Sequence, residues 1–269
     1  MYSLNKQSRL VTAATETPLA ELKKALAEEG LYLGYYPLDD PQHTVGHYLS
    51  RRTANLYHYK YGSIADLVSS LLVEMPDGRP FHLKDAPRAA TGPDFNRLII
   101  GAKGQLGTLK TATFRVVSLP EKVLYGVVLL NSREDARSTV RHLIGHFMAP
   151  LFFKYLDAQA ATPLLEALGE GLDSKNAPRD TLLFGLSGLQ EIVSIEEDEI
   201  STYCQNQKHE LSWVAGKPGR DIVNGHLHTS ESYRDIKDQY RQFLWPASDS
   251  NSQTMLEKQF FNREVSRVG

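Results

Sequence analysis

The sequence predicts an α+β protein built in two parts that meet near residue 120. Three observations carry that expectation. After Pro120, strand-like and helical stretches alternate three times: EKVLYGVVLL then SREDARSTVRHLIGHF, LFFKYL then DAQAATPLLEALGE, and DTLLFGLSG then LQEIVSIEEDEISTYCQNQ. Before it, LVSSLLVEM and RPFHL flank the turn residues PDG, which is a hairpin pattern. Between these lie Gly101, Gly104 and Gly107, spaced three apart after FNRLII and before TLKTATFRV, so a glycine loop opens a strand. The expected parts are residues 1–120 and 121–269, the second ending in a polar tail from about Ser248.

Taken in order, RLVTAAT (9–15) is strand-like. Thr17 followed by Pro18 has the form of an N-cap with proline at the first helical position. Leu19, Leu22 and Leu26 then share one helical face, and Gly30 stops the helix. LYLGYY (31–36) is a strand candidate and PLDDPQH (37–43) a loop. YHYKYGS (57–63) sets Tyr57, Tyr59 and Tyr61 at alternate positions, as one face of a half-buried strand or loop, or as an aromatic wall beside a planar ligand. TLKTATFRV (108–116) is a strand rich in β-branched and aromatic residues.

Composition removes several classes of function. The chain has 269 residues, a net charge of −2 and a near-average charged fraction of 23%, so it lacks the basic excess of a nucleic-acid binder. A single cysteine, Cys204, excludes a disulfide framework and a multi-cysteine metal or iron–sulfur site. The opening MYSLNKQSRLVTAATETP lacks the apolar centre of a secretory signal, and VLYGVVLL is too short to span a bilayer. The expectation is a soluble, cytoplasmic protein.

The motifs divide unevenly between chemistry and architecture. G-x-x-G-x-x-G differs from the dinucleotide fingerprint G-x-G-x-x-G, which opens a helix; here the glycines either let a ligand approach the backbone or build a turn. His43 and His47 are four residues apart, as are His142 and His146, and on a helix each pair faces one side and suits zinc. His226 and His228 would share a face only on a strand. None of the pairs has the glutamate of a zincin motif, and no metal is assigned. GLSGL (185–189) misplaces the second glycine of a nucleophile elbow. Asp66, three residues after Ser63, has the position of a helix-start carboxylate.

Set in order, three longer stretches carry a resemblance. LVTAATETPLAELKKALAEEGLYLGYYPLDDPQHTVGHYLS, YKYGSIADLVSSLLVEMPDGRPFHL and ATGPDFNRLIIGAKGQLGTLKTATFRVVSLP together resemble the FAD-binding domain of the vanillyl-alcohol oxidase/p-cresol methylhydroxylase (PCMH) type. Within it they are most similar to the small flavin subunit of glycolate oxidase and the D-2-hydroxy-acid dehydrogenases. The match runs from about residue 9 to 120, and APLFFKYLDAQA weakly resembles the family's cap. The implied fold is the C-terminal half of a PCMH-type FAD-binding domain followed by an α+β cap-like domain.

The resemblance implies FAD contacts at particular positions. Thr44, Val45, Gly46 and His47 would lie near the pyrophosphate, followed by Gly62, Ser63 and Asp66 of the next motif. Gly92, Asp94 and Phe95 would approach the ring, and Gly104, Leu106, Gly107 and Thr108 would line the ribityl or adenosine part. His47 replaces a family glycine and Pro93 a family tyrosine. The family's glycine-rich phosphate loop belongs upstream of residue 9, so the resemblance implies a partner chain that completes the cradle. It further implies oxidation of a 2-hydroxy acid such as lactate or glycolate by hydride transfer to flavin, and assigns no catalytic base. The alternative expectation is a non-catalytic interaction subunit whose flavin site has decayed.

Overall fold

Two antiparallel sheets organise the computed structural model, which describes residues 2–37, 42–82, 94–146, 148–168, 179–214 and 219. His226, His228 and the tail beyond Ser248 fall outside the described residues, as do Gly92 and Pro93. The chain starts with a hairpin of β1 (Tyr2–Asn5) and β2 (Leu10–Ala14), and α1 (Leu19–Glu28) follows. Leu19, Leu22 and Leu26 are its buried stripe, as their spacing predicts. The cap differs from expectation by one residue: Pro18 itself is the N-cap and Leu19 opens the helix. Only β3 (Leu31–Tyr32) of LYLGYY forms a strand.

Three short helices come next: α2 (Val45–Arg51), α3 (His58–Tyr61) and α4 (Ile64–Leu67). The hairpin of β4 (Val68–Glu74) and β5 (Pro80–His82) forms as the PDG turn predicts. Then α5 (Phe95–Ile99) leads through the glycine loop into β6 (Thr108–Arg115) and β7 (Val117–Ser118). The first sheet has the order β1-β2-β6-β4-β5. Val11 and Ala13 from β2, Leu71 and Val73 from β4, and Ala112 and Phe114 from β6 bury against the leucines of α1 and against Val45, Tyr48 and Leu49 of α2. Burying the larger of these side chains is worth about 1.5–3 kcal/mol each, and in β2 burial alternates with the strand period of two.

The second sheet, β11-β8-β10-β9, uses β8 (Lys122–Leu130), β9 (Phe153–Leu156), β10 (Asp180–Gly188) and β11 (Glu210–Val214). Its helices are α6 (Arg133–Gly145), α7 (Ala158–Leu168) and α8 (Gln190–Gln207). The uninterrupted apolar runs of β8 and β10 follow from burial on both faces. Val128, Leu130, Leu182, Phe184 and Leu186 pack under α6 and α8, whereas Val127, Leu129 and Leu183 pack against Leu164 and Leu165 of α7. Cys204, on the buried side of α8, has its thiol pushed up to about 11 by desolvation, which keeps it protonated and unreactive.

The tyrosine segment is where the sheets join, and it is helical, not extended. Tyr57 N-caps α3 and is 6% exposed, in a cluster with Tyr125 and Phe152 of the second sheet's surroundings. The Tyr57 and Tyr125 hydroxyls lie 3.2 Å apart, Tyr59 meets Phe153 edge-on, and Tyr61 meets Tyr32. Lys60 Nζ donates to the Ser187 carbonyl. The tyrosines therefore pack on protein. Its backbone is held by Asn55, 4% exposed, whose Oδ1 accepts from the amides of Tyr36 (2.9 Å) and Tyr57 (3.1 Å). The Asn55 Nδ2 donates to the carbonyls of Gly34 (3.0 Å) and Gly62 (2.8 Å).

Asn55→Ala leaves four backbone groups, two buried and two partly buried, without this partner, and each fully buried one costs about 1–3 kcal/mol before relaxation. The expected loss is about 3 kcal/mol or more in urea unfolding, with Asn55→Asp intermediate because it keeps both acceptor contacts.

Candidate functional site

A groove of about 860 Å³ opens between the end of β2, helix α2 and the glycine loop. That volume lies within the range of small-molecule and cofactor sites, about 300–1,000 Å³. Its floor is set by Thr15. The Thr15 amide donates to the Lys110 carbonyl (3.0 Å) and its hydroxyl to the Leu109 carbonyl (2.8 Å), locking the end of β2 to the start of β6. The Thr15 carbonyl accepts from the Gly46 amide (2.8 Å), and Val45 N donates to Thr17 O (2.9 Å). A side chain on Gly46 would place its Cβ 2.9 Å from Thr15 Cβ and 3.1 Å from Thr15 O. Helix and strand thus approach more closely than any other residue at position 46 permits.

The glycine loop closes the other wall. Its near half hangs from the end of α2: Gly101 N donates to Leu49 O (2.9 Å) and Lys103 N to Ser50 O (3.2 Å). Its far half returns against β4, where a Cβ on Gly107 (φ +142°) would lie 2.6 Å from the Glu74 carbonyl. A Cβ on Gly104, by contrast, would meet nothing within 4 Å. Gly107 therefore permits a close backbone passage, and Gly104, at φ +82°, takes a left-handed turn beside open space.

Six of the residues implied by the resemblance line this groove together: Thr44, Gly46, Gly104, Leu106, Gly107 and Thr108. Val45 is 1% exposed and belongs to the core. The His47 ring stacks on His43 with centroids 3.8 Å apart and is not among the lining residues, so its bulk does not fill the groove. Thr15, Ser50, Arg51 and Lys103 line it without having been singled out. Arg51 and Lys103 carried no motif signal. Thr15 offered one weak cue, its place at the end of a strand just before a helix start.

Gly62, Ser63, Asp66 and Asp94 make a separate cluster. Asp66 Oδ2 accepts from the Ser63 amide (2.9 Å) and hydroxyl (2.7 Å), a capping box at α4. Asp66 Oδ1 takes the Arg97 guanidinium at 2.6 Å, and Arg97 also faces Asp94 at 3.3 Å. Asp94 N-caps α5, and the exposed Phe95 ring meets Phe81 edge-on. This cluster anchors the start of α5, whose last residue, Ile99, reaches the groove. Burial pushes the Asp66 carboxyl up, but the Ser63 hydrogen bonds, Arg97 and His58 outweigh it and hold the group below the ordinary carboxylate value.

The donor set suits a polyhydroxylated phosphate ester. Thr44 and Thr108 supply hydroxyls, those of Thr15 and Ser50 being already donated to the Leu109 and His47 carbonyls; Arg51 and Lys103 supply positive charge, Glu16 a negative one, and the glycine backbone lets a ligand lie close. Two expectations follow. Gly46→Ala is destabilised by about 1–3 kcal/mol through its clash with Thr15, visible as a lowered Tm. For Asp66, a depressed folded pKa means stability that is present above the unfolded value and lost as pH falls through the folded one. Wild type should lose stability steeply below about pH 4, whereas Asp66→Asn, already weaker at neutral pH, should show a flatter melting profile over that window.

Residues 1–84 match a family model described as FAD binding domain. The chain is 26% identical over 236 residues to an uncharacterized FAD-linked oxidoreductase, YgcU, of Escherichia coli, covering 83% of this chain and 48% of that protein. It is 35% identical over 120 residues to a mitochondrial D-lactate dehydrogenase [cytochrome] of Arabidopsis thaliana, covering 43% of this chain and 20% of that one. Among solved structures, an alkyldihydroxyacetonephosphate synthase superposes with a TM-score of 0.70 at 18% identity, over 84% of this chain and 43% of its own. The chain spans about half the length of the Escherichia coli relative, and less of the others. Fold, family match and relatives point the same way: the chain has a PCMH-type FAD-binding fold, its first 84 residues match the FAD binding domain model, and its relatives include FAD-linked oxidoreductases, D-lactate dehydrogenases and alkyldihydroxyacetonephosphate synthases.

Proposed function

We propose that the chain is the flavin-holding part of an oxidoreductase that oxidises a 2-hydroxy acid. The observation that carries this reading is the groove: strand end, helix and glycine loop converge on hydroxyls, two cations, one carboxylate and bare backbone. Relatives named as D-lactate dehydrogenases motivate the substrate class. When bound, FAD supplies the hydride-accepting chemistry, and the protein contributes binding and orientation. Here Thr44 and Thr108 would hold the polar chain of the cofactor, and Arg51 and Lys103 would offset phosphate charge. Gly104 would leave the backbone accessible to it. The tyrosine junction keeps the second sheet seated beside the first.

The alternative reading is a non-catalytic interaction subunit whose flavin site has decayed, and one titration separates the two.

Purified chain titrated with FAD should take up one equivalent, read by its visible absorbance, and bleach anaerobically with D-lactate or glycolate. Lys103→Glu should weaken uptake by about 10- to 100-fold with an unchanged Tm, the scale of one charge-assisted contact. Stoichiometric uptake, with or without a partner chain, counts against the interaction subunit, whose flavin site would have decayed, and uptake without bleaching overturns the 2-hydroxy-acid substrate. No uptake under either condition overturns the flavin reading.

A further inference from the structure

Helices α6 and α8 lie together on one face of the second sheet, sharing a core of Val140, Leu143, Val193 and Ile200. At the end of α6, His142 and His146 sit one turn apart with ring centroids separated by 4.0 Å. Glu199 of α8 faces both. Its Oε1 is 3.5 Å from His142 Nε2 and 3.4 Å from His146 Nδ1. One ligand atom from each of the three residues falls within 4.8 Å of the others, the one such trio of histidine, cysteine or carboxylate groups among the described residues.

The spacing has a chemical meaning. A direct N–H···O bond brings its heavy atoms to about 2.9 Å. A tetrahedral zinc ion with bonds of about 2.0–2.1 Å holds its ligand atoms about 3.4 Å apart. The observed separations of 3.4 and 3.5 Å are wide for the first and right for the second. His142 Nε2 is buried and has no hydrogen-bond partner, a costly condition that a metal bond would relieve. The His142 ring is fixed from its face by Tyr203, stacked at 3.9 Å and 16°. His146 and Glu199 remain about half exposed, at 52% and 43%, which leaves an entry path for an ion.

We propose that His142 Nε2, His146 Nδ1 and Glu199 form a binding site for a divalent cation, zinc foremost, that ties α6 to α8. Two imidazoles and one carboxylate are a common three-residue zinc set, with a fourth position left for water or another donor. Nitrogen donors disfavour magnesium and calcium. The sequence offered only half of this site, a histidine pair without its acid, because the glutamate comes from a helix more than fifty residues later in the chain. None of the three residues lines the groove, so the site stands or falls separately from flavin binding.

The test uses the full chain, stripped with chelator and titrated with zinc chloride, then with cobalt chloride as a spectroscopic probe. The expected result is one equivalent of zinc, a raised Tm, and the intense visible bands of low-coordinate cobalt. His146→Ala and Glu199→Gln should each weaken binding by more than about 10-fold, at least the loss seen when a ligand's supporting partner is removed. A double variant lacking His226 and His228 should bind as wild type does. Melting of the metal-free variants checks that they fold; should either fail, the wild-type cobalt spectrum decides alone. No binding by wild type, octahedral cobalt bands, or unchanged affinity in the two ligand variants would overturn the site.

Discussion

The contact between Thr15 and Gly46 is the constraint on which the groove depends. Thr15 spends its amide and hydroxyl on the first residues of β6 and offers its carbonyl to the start of α2. Three segments far apart in sequence therefore meet at one residue that is 6% exposed. The geometry works only because position 46 has no side chain. Once β6 is pinned, the glycine loop before it has both ends fixed, one on β4 and β6 and the other on the end of α2. The open space is what remains between these fixed backbones. A site built this way is pre-organised by main-chain hydrogen bonds, so ligand binding has little loop entropy to overcome.

A second constraint, Asn55, joins this body to the rest. One buried amide satisfies two carbonyls and two amides across the turn that carries the tyrosines. That turn presents Tyr57 to Tyr125 and Phe152, so the second sheet packs on the first through aromatic contact and not through a flexible linker alone. The consequence for function is positional. The second sheet is buried on both faces, one under its own α6 and α8 and the other under α7 and the tyrosines. Any movement of the two sheets relative to each other must break the tyrosine layer.

The residues that resemble flavin contacts turn out to have two different duties. Those on α2 and the glycine loop surround the groove, whereas Gly62, Ser63, Asp66 and Asp94 build an ion-pair cluster with Arg97. The second group holds α5 at its start, and α5 delivers Ile99 to the groove at its end. A motif shared with a cofactor-binding family thus includes residues that line the groove and residues that hold the frame around it.

Much of the local structure was legible in the sequence, because it depends on near neighbours. The leucine stripe of α1, the PDG hairpin, the strand after the glycine loop and the alternation beyond Pro120 all follow from side-chain period and turn chemistry. The misreadings arose where tertiary contact overrode local pattern. Alternate tyrosines looked like a strand face, yet they occupy a helical turn because Asn55 and the second sheet satisfy that backbone and bury those rings. The strands Tyr2–Asn5 and Glu210–Val214 were not anticipated, since edge strands gain their stability from the neighbour they pair with. The site shows the same division. Sequence by itself determined that glycines and hydroxyls would cluster on one loop and one helix start. Only the tertiary structure decided that Thr15, Arg51 and Lys103 join them, that His47 turns aside, and that Glu199 meets two histidines. Those meetings depend on distances between segments, which close only when the sheets pair and the cores fill.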